Sequence, residues 1–123
     1  MDKCIFCNID KDRIIYEDAI WIAMLDGYPV TEGHTLLIPK RHCETFFDLN
    51  EVEQDSLSDT IRIVKGILDA KYAPNGYNIG MNCGECSGQT IMHCHIHIIP
   101  RHNGDCENPR GGVRGVIPSK MKY

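Results

Sequence analysis

Three histidines alternate with other residues in the segment HCHIHIIP, residues 93–100. On an extended strand alternate side chains share one face, so His93, His95 and His97 are predicted to point the same way. Neighbours on that face lie about 6.6–6.8 Å apart, which separates the outer two by about 13 Å. All three rings therefore cannot easily reach one metal ion, because side chains stand roughly perpendicular to a sheet. Three half-buried histidines satisfied by backbone bonds, or a catalytic row, are the remaining interpretations.

A row of histidines suits chemistry at phosphorus. A neutral imidazole can attack a phosphorus atom through one ring nitrogen while the other donates its proton to a fixed acceptor, which sets the tautomer. Flanking histidines can donate hydrogen bonds to phosphate oxygens as charge builds on them. The bond formed is energy-rich, so water or another acceptor can discharge it. Strict alternation inside an apolar strand therefore favours nucleophilic catalysis over three buried spacers.

The chain resembles the histidine triad family of nucleotide hydrolases and transferases over residues 4 to about 101. HCHIHIIP matches the family motif His-φ-His-φ-His-φ-φ, where φ is an apolar residue, with Cys94 in one φ position. The segment LDGYPVTEGHTLLIPKRH (25–42) looks like the family's nucleoside-binding segment. The segment NCGECSGQTIMHCHIHIIPR (82–101) looks like its phosphate-binding and catalytic segment. Two long segments in the family order, one of which contains the histidine motif, make a chance match improbable.

The resemblance implies a role for each site residue. His95 would be the nucleophile that becomes nucleotidylated, His97 would contact the phosphate, and His34 would lie beside the row. Asp26 would hold the ribose hydroxyls, a task that suits a carboxylate because it only accepts hydrogen bonds. The implied catalytic residues are His95, His97, His34 and Gln89, and the nucleotide-binding residues are Asp26, Leu25, Phe6, Asn82, Thr90, Gln89 and His97.

The seven cysteines include two CxxC pairs, CIFC at 4–7 and CGEC at 83–86. Two such pairs could form a four-cysteine zinc site. The chain also resembles a zinc-binding, Hint-like bacterial-type branch of the family. That resemblance implies one structural zinc per chain, held by Cys4, Cys7, His42 and His93. The pair Cys83 and Cys86 departs from the family pattern and could be a bystander, a redox-sensitive pair or an alternative zinc clamp. A chain without metal is the other interpretation.

Hydrophobic patterning predicts the elements that position these residues. Strands are predicted at 13–17, 20–26, 34–39, 77–82 and 91–100. Asn50 is a predicted helix N-cap. Apolar residues at helical spacing continue the helix to about Tyr72: Leu57, Ile61, Val64 and Leu68. Strands, one long helix and further strands predict an α+β fold with an antiparallel sheet. We expect a single domain, residues 1–123, with an irregular tail at 103–123.

Composition limits the partners and the cellular location that we expect for this protein. The net charge of −4 argues against general nucleic-acid binding, and no apolar run approaches the roughly 20 residues of a membrane span. The first residues carry no apolar stretch typical of a signal peptide, and an odd number of cysteines favours a cytoplasmic location. The family resemblance adds a short N-terminal helix, a five-stranded sheet and a homodimer across which the sheet continues.

The family resemblance, together with the histidine row, implies a nucleotide hydrolase that uses a covalent nucleotidyl-histidine intermediate. Its substrate would be a purine nucleotide compound, either a nucleoside phosphoramidate or a dinucleoside polyphosphate. Two alternatives remain: a nucleotidyltransferase or phosphorylase that passes the nucleotide to a second acceptor, and a nucleotide sensor without catalysis. The arginines of the C-terminal segment NPRGGVRGVIP could bind the second phosphate or base of a dinucleotide, or be solvated charges.

Overall fold

The computed structural model describes residues 4–123. Within them five strands form one sheet: β1 Ile14–Glu17, β2 Trp21–Leu25, β3 Thr35–Pro39, β4 Gly76–Gly80 and β5 Ile96–Arg101. Their order across the sheet is β1-β2-β3-β5-β4, and neighbouring strands are antiparallel. One long helix, α1 Glu51–Tyr72, connects β3 to β4. The predicted α+β class, antiparallel five-stranded sheet and single long helix are confirmed. The short N-terminal helix is a 3-10 turn, Lys11–Arg13.

Helix α1 begins at a capping box. The Asn50 side chain accepts a hydrogen bond from the Glu53 N–H, and the Glu53 carboxylate accepts one from the Asn50 N–H. The same buried carboxylate receives two hydrogen bonds from the Arg41 guanidinium, at 2.8 and 3.0 Å. These bonds hold the pKa of Glu53 below its ordinary value. The start of α1 thereby fixes the loop that carries His42.

Helix α1 covers one face of the sheet. Its Val64 and Leu68 pack in a cluster with Trp21, Leu37 and Ile96, all almost inaccessible to solvent. The opposite face carries a smaller buried cluster, formed by Phe6, Met24, Leu36 and Ile38. A strand alternates its side chains between two faces, so one set holds the helix while the other borders the functional site. No helix in residues 4–123 is long and apolar enough to cross a membrane.

Strand β5 is shorter than predicted at its beginning. The prediction placed a strand at 91–100, but residues 91–93 bend and pairing with β3 begins at Ile96 opposite Leu37. Pro39 lies two residues further along β3, and proline has no N–H to donate to a ladder. The Pro39 carbonyl is instead bound by the ring of His93, at 2.8 Å. A side chain thus replaces the strand pairing where the histidine row begins.

The edge strand β4 is the surface that we expect to carry the dimer. It pairs only with β5 among residues 4–123, and Ile79 is 43% exposed. Unpaired strand edges are often covered by a second copy. We expect sedimentation at micromolar concentration to give a dimer, and Ile79→Lys to weaken it. A monomer at that concentration would contradict the prediction.

Candidate functional site

The three histidine rings lie in a continuous row on the sheet face opposite α1. The centroids of the His95 and His97 rings are 5.4 Å apart, and Phe6 contacts His95 edge-on at 4.9 Å. Cys94 and Ile96, which alternate with the histidines, are buried in the cluster under α1. The alternation predicted from the sequence therefore begins before β5, at His93. It places the three histidine rings on the same face of the sheet.

Backbone carbonyls fix the tautomers of two histidines. Nδ1 of His95 lies 2.8 Å from the carbonyl oxygen of His93, and a carbonyl can only accept, so Nδ1 carries the proton. Nε2 of His95 therefore keeps its lone pair. In His93 the arrangement is reversed, because Nε2 donates to the Pro39 carbonyl and Nδ1 keeps the lone pair. Neighbouring histidines are thus prepared to react or bind through different nitrogens.

A chain of hydrogen bonds fixes the other two rings. The Val30 N–H donates to Nδ1 of His34 at 3.0 Å, so the neutral ring of His34 carries its proton on Nε2. That nitrogen lies 2.9 Å from Nδ1 of His97 and 3.4 Å from a carboxylate oxygen of Asp26. His34 therefore donates to His97, and the proton of His97 is on Nε2. His97, the last ring in this series of hydrogen bonds, can therefore donate its Nε2–H to a group that lies in front of it.

Burial keeps both of these rings neutral. It lowers the pKa of His34, and the nearby charge of Asp26 offsets only part of that effect. Burial also lowers the pKa of His97 to about 4, with smaller contributions from His95 and His34. At neutral pH His97 is therefore a hydrogen-bond donor without a charge, and not an imidazolium.

The depressed pKa of His97 makes stability depend on pH. An unfolded histidine takes up its proton near pH 6.5, whereas folded His97 does so near pH 4. The unfolded state binds more protons in that window. The free energy of unfolding is therefore unaffected by His97 above pH 6.5 and is lowered progressively as pH falls toward 4. We expect the free energy of unfolding, measured with denaturant, to fall less steeply over this window in His97→Asn. Equal slopes in both proteins would contradict the assignment.

The trio Asp26, His34 and His97 has its possible ligand atoms within 4.8 Å of one another. A metal ion there would need the lone pair of Nε2 in His34. That nitrogen carries a proton as long as Nδ1 accepts from Val30. The hydrogen-bond pattern therefore favours a chain of donors over a metal site at this position.

A cavity of about 310 Å³ opens beside His95 and His97. Asp26 borders it, and one of its carboxylate oxygens accepts from the Tyr28 N–H at 2.7 Å, so it is both a turn residue and a cavity residue. Further predicted site residues on the cavity wall are Phe6, Asn82 and Thr90. His34 does not border the cavity, but it contacts His97 and Asp26, which do.

Two predicted site residues are positioned differently from expectation. Leu25 does not border the cavity, whereas its neighbour Met24 does. The physical reason is strand alternation, since adjacent residues of β2 face opposite sides of the sheet. Gln89 is also absent from the cavity wall. Its side-chain oxygen accepts from the Gly84 N–H and its nitrogen donates to the backbone oxygens of Glu44 and Ile91.

The hydrogen bonds of Gln89 therefore stabilise the loop that contains it. The residue is 2% exposed, and both the oxygen and the nitrogen of its amide bond to backbone groups. This fixes the loop 82–90, which brings Asn82 and Thr90 to the cavity. In this structure the Gln89 amide bonds to backbone groups and not to the cavity, and its role toward a phosphate stays a prediction.

Sequence reasoning missed several residues on the cavity wall. Met24 and Leu36 give it an apolar side, and both belong to the buried cluster on this face. Arg13 also borders the cavity and adds a positive charge. The period-two pattern of β2 and β3 could have identified Met24 and Leu36. No signal in the sequence pointed to Arg13, because the fold alone brings the 3-10 turn before β1 beside the turn at Asp26.

The four predicted zinc ligands converge at the other end of the row: Cys4, Cys7, His42 and His93. Nδ1 of His93 lies 3.3 Å from Sγ of Cys4 and 3.4 Å from Sγ of Cys7, and Nδ1 of His42 lies 3.3 Å from Sγ of Cys7. Tetrahedral zinc with ordinary bond lengths separates sulfur and nitrogen ligands by about 3.6 Å. The set fits zinc. Among residues 4–123, neither Cys83 nor Cys86 belongs to a group of possible metal ligands.

The partner of His93 strengthens this fit. A metal-binding histidine commonly donates its second ring nitrogen to a carbonyl or carboxylate, which orients the ring. Nε2 of His93 donates to the Pro39 carbonyl, and the ring is fully buried. The lone pair of Nδ1 therefore points at the two cysteines before any metal arrives.

Comparison with known proteins agrees with the fold. The profile of the HIT domain matches residues 8–104. The chain is 42% identical to an uncharacterized HIT-like protein of Methanocaldococcus jannaschii, over 92% of this chain and 91% of that one. It is 38% identical to the adenosine 5'-monophosphoramidase hnt1 of Schizosaccharomyces pombe, over 82% of this chain and 76% of the relative. The protein therefore belongs to the HIT domain family.

A solved relative bears on the metal. The structure resembles a zinc-bound histidine triad family protein from Mycobacterium smegmatis, with a TM-score of 0.75 and 33% sequence identity. The match covers 84% of this chain and 78% of the other. A family member of this fold thus binds zinc, and the cluster of two cysteines and two histidines is a possible metal site here.

Proposed function

We propose that this protein hydrolyses purine nucleoside phosphoramidates or dinucleoside polyphosphates through a nucleotide bound covalently to His95. The observation that carries the proposal is the tautomer of His95. Its Nδ1–H is held by the His93 carbonyl at 2.8 Å, so the lone pair of Nε2 is available beside the cavity. The name of the monophosphoramidase relative supports the same chemistry.

The reaction would proceed in two displacements. Nε2 of His95 would attack the phosphorus atom, and the bond from phosphorus to the leaving group would break with its electron pair on the departing atom. Water would then attack phosphorus, and the electron pair of the phosphorus–nitrogen bond would return to Nε2. Throughout, the carbonyl of His93 would stabilise the positive charge on the ring, because it accepts from Nδ1–H.

The neighbouring groups suit the other parts of a nucleotide. Nε2–H of His97 can donate to a phosphate oxygen, and Asn82 and Thr90 supply further polar groups on the same wall. Asp26 can accept from the ribose hydroxyls. Phe6, Met24 and Leu36 form the apolar side against which a base can pack.

A structural zinc at Cys4, Cys7, His42 and His93 would fix the beginning of the row. A closed site with four protein ligands contributes folding energy and leaves no position for a reacting water. The zinc would anchor His93, whose carbonyl oxygen holds His95 in its reactive tautomer. We therefore propose a structural role for the metal and no direct part in the reaction.

Steady-state hydrolysis of adenosine 5'-phosphoramidate tests the proposal. We expect AMP and ammonia in equal amounts, without any added acceptor. Turnover that depends on an added phosphate or sugar acceptor would identify a transferase instead. Binding of AMP without turnover of adenylyl or guanylyl compounds would identify a nucleotide sensor and would overturn the proposal.

His97→Ala is expected to lower kcat by about 10²–10³, the usual cost of losing one donor to a developing oxyanion. The change removes the donor at the end of the chain through His34, but it leaves the nucleophile in place. The rate should be measured by single turnover on adenosine 5'-phosphoramidate, so that product release does not mask the effect. A loss as large as that of the nucleophile itself would show that the two histidines have exchanged roles.

A further inference from the structure

Among residues 4–123, Arg13 is the only lysine or arginine on the wall of the cavity beside His95. A second cavity, of about 420 Å³, shares His97 and Asn82 with this first one, and Arg13 does not border it. The charge of Arg13 therefore acts on the first cavity alone, which is the cavity that holds the nucleoside in the proposed function.

The guanidinium group of Arg13 has no partner within residues 4–123. It makes no hydrogen bond, ion pair or ring contact with them, although the residue is partly buried. Arg41 and Arg101, by contrast, each donate two hydrogen bonds to a carboxylate. A guanidinium carries five N–H donors and no acceptor, so Arg13 presents donors alone to the cavity. Only acceptor groups on a bound molecule can satisfy them.

Gly27 leaves room for this guanidinium. A methyl group added to the Cα of Gly27 would overlap Nη1 of Arg13 and lie 3.6 Å from Cζ, so the guanidinium occupies the space that a side chain would fill. Gly27 borders the same cavity. Its φ is not positive, so the backbone itself does not require glycine at this position. The missing side chain of Gly27 is therefore what lets Arg13 reach the cavity wall.

The sheet places Arg13 and the nucleophile at different ends of the cavity. Arg13 immediately precedes β1, whereas the histidine row runs into β5, and β2 and β3 lie between them. Three strand spacings separate β1 from β5 by roughly 14 Å. The carboxylate of Asp26 lies between the two ends, because it is 3.4 Å from the ring of His34 and Gly27 follows it in the chain. A nucleotide with its phosphorus at His95 and its ribose at Asp26 therefore directs its base toward Arg13.

The donors of Arg13 suit one purine better than the other. Guanine carries two neighbouring acceptors, N7 and O6, which match two parallel N–H groups of a guanidinium. Adenine carries N7 and an amino group, and the amino group is a donor that a guanidinium cannot accept. Guanine can therefore form two hydrogen bonds with Arg13 along one edge, whereas adenine forms one and leaves two donors facing each other.

We propose that Arg13 recognises the base and makes this site select guanine over adenine nucleotides. The inference rests on the proposed function, which places the base against the apolar side of the first cavity, formed by Phe6, Met24 and Leu36. It narrows the purine class of the substrate to guanylyl compounds. A bidentate pair between arginine and guanine commonly discriminates against the wrong base by about 10–100-fold.

Matched phosphoramidates test the base preference. The guanosine, inosine and adenosine 5'-phosphoramidates share the reacting group and differ only in the base. We expect kcat/KM for the guanosine compound to exceed that for the adenosine compound by about 10–100-fold. Inosine keeps N7 and O6 and lacks the 2-amino group of guanine, so its kcat/KM should lie close to that of guanosine. An inosine value close to that of adenosine would assign the preference to the 2-amino group and overturn the role of Arg13.

Matched variants identify the residue that selects the base. Arg13→Met removes the donors and should bring the ratio of guanosine to adenosine kcat/KM close to one. Gly27→Ala should also lower the ratio, because the added methyl group displaces the guanidinium while its charge stays in the protein. Arg62→Met and Gly66→Ala are the controls, since both residues lie on α1 and outside the first cavity. They should keep the full ratio.

Binding of GMP and AMP, measured by calorimetry, separates this inference from the hydrolase. A preference for GMP that is lost in Arg13→Met, without turnover of any phosphoramidate, would overturn the hydrolase and support the base recognition. Equal kcat/KM and equal affinity for the two purines, in a protein that turns both over, would overturn the base recognition alone. An equal loss with both purines in Arg13→Met would also overturn it, because that result would assign the arginine to the phosphate.

Discussion

His95→Ala should abolish hydrolysis of adenosine 5'-phosphoramidate, with a fall in kcat of several powers of ten. Loss of a nucleophile commonly costs about 10⁴–10⁶, because no remaining group can form the covalent intermediate. The fold should survive, since the residues that bury β5 under α1 are Ile96 and Ile98. AMP should still bind, because Asp26 and the apolar wall of the first cavity are untouched.

A chemical trap makes this prediction specific. Wild-type protein quenched during turnover of a radiolabelled adenylyl substrate should carry label that is labile in acid and stable in base, as expected for a phosphorus–nitrogen bond. His95→Ala should carry none. His102→Ala is the matched control, because His102 bonds to the backbone of Tyr72 and lies outside the first cavity. Label on His97 or on a cysteine would show that the nucleophile is misassigned.

Cys4→Ser should release the zinc and destabilise the protein. The remaining ligands cannot close a tetrahedral site, so one zinc per chain should fall to a small fraction. Loss of a structural metal is among the largest single-residue effects on stability, and we expect the melting temperature to fall by about 10–20 °C. His42→Ala should behave in the same way. Residual catalysis per folded molecule should fall less than in His95→Ala.

Elemental analysis of protein purified without chelator checks the zinc directly. Cys86→Ser is the matched control, because Cys86 is exposed and outside the ligand cluster. It should keep both the metal and the melting temperature. Full zinc retention in Cys4→Ser would refute the assigned ligand set, and an absence of zinc from wild-type protein would refute the site.

The sequence by itself determined most of the architecture and suggested the chemistry that we propose. Strand and helix periods are local properties, so alternation placed the histidines on one face and the spacing of Leu57, Ile61, Val64 and Leu68 predicted α1. The strand spacing also limited what the row could do, because three histidines about 6.6–6.8 Å apart along one strand face cannot easily share one ion. The α+β class was predicted in this way, whereas the set of four metal ligands was implied only by the family resemblance.

Only the tertiary structure decided how each residue is used. The tautomer of His93 depends on the Pro39 carbonyl, and that of His34 depends on the Val30 N–H. The side-chain amide of Gln89 bonds to the backbone groups of Glu44, Gly84 and Ile91, and these bonds stabilise its loop. Such partners are brought together by the chain path and leave no local pattern. The same is true of the tail, where Arg110 and Arg114 stack on Tyr123, a contact that no periodicity in the sequence encodes.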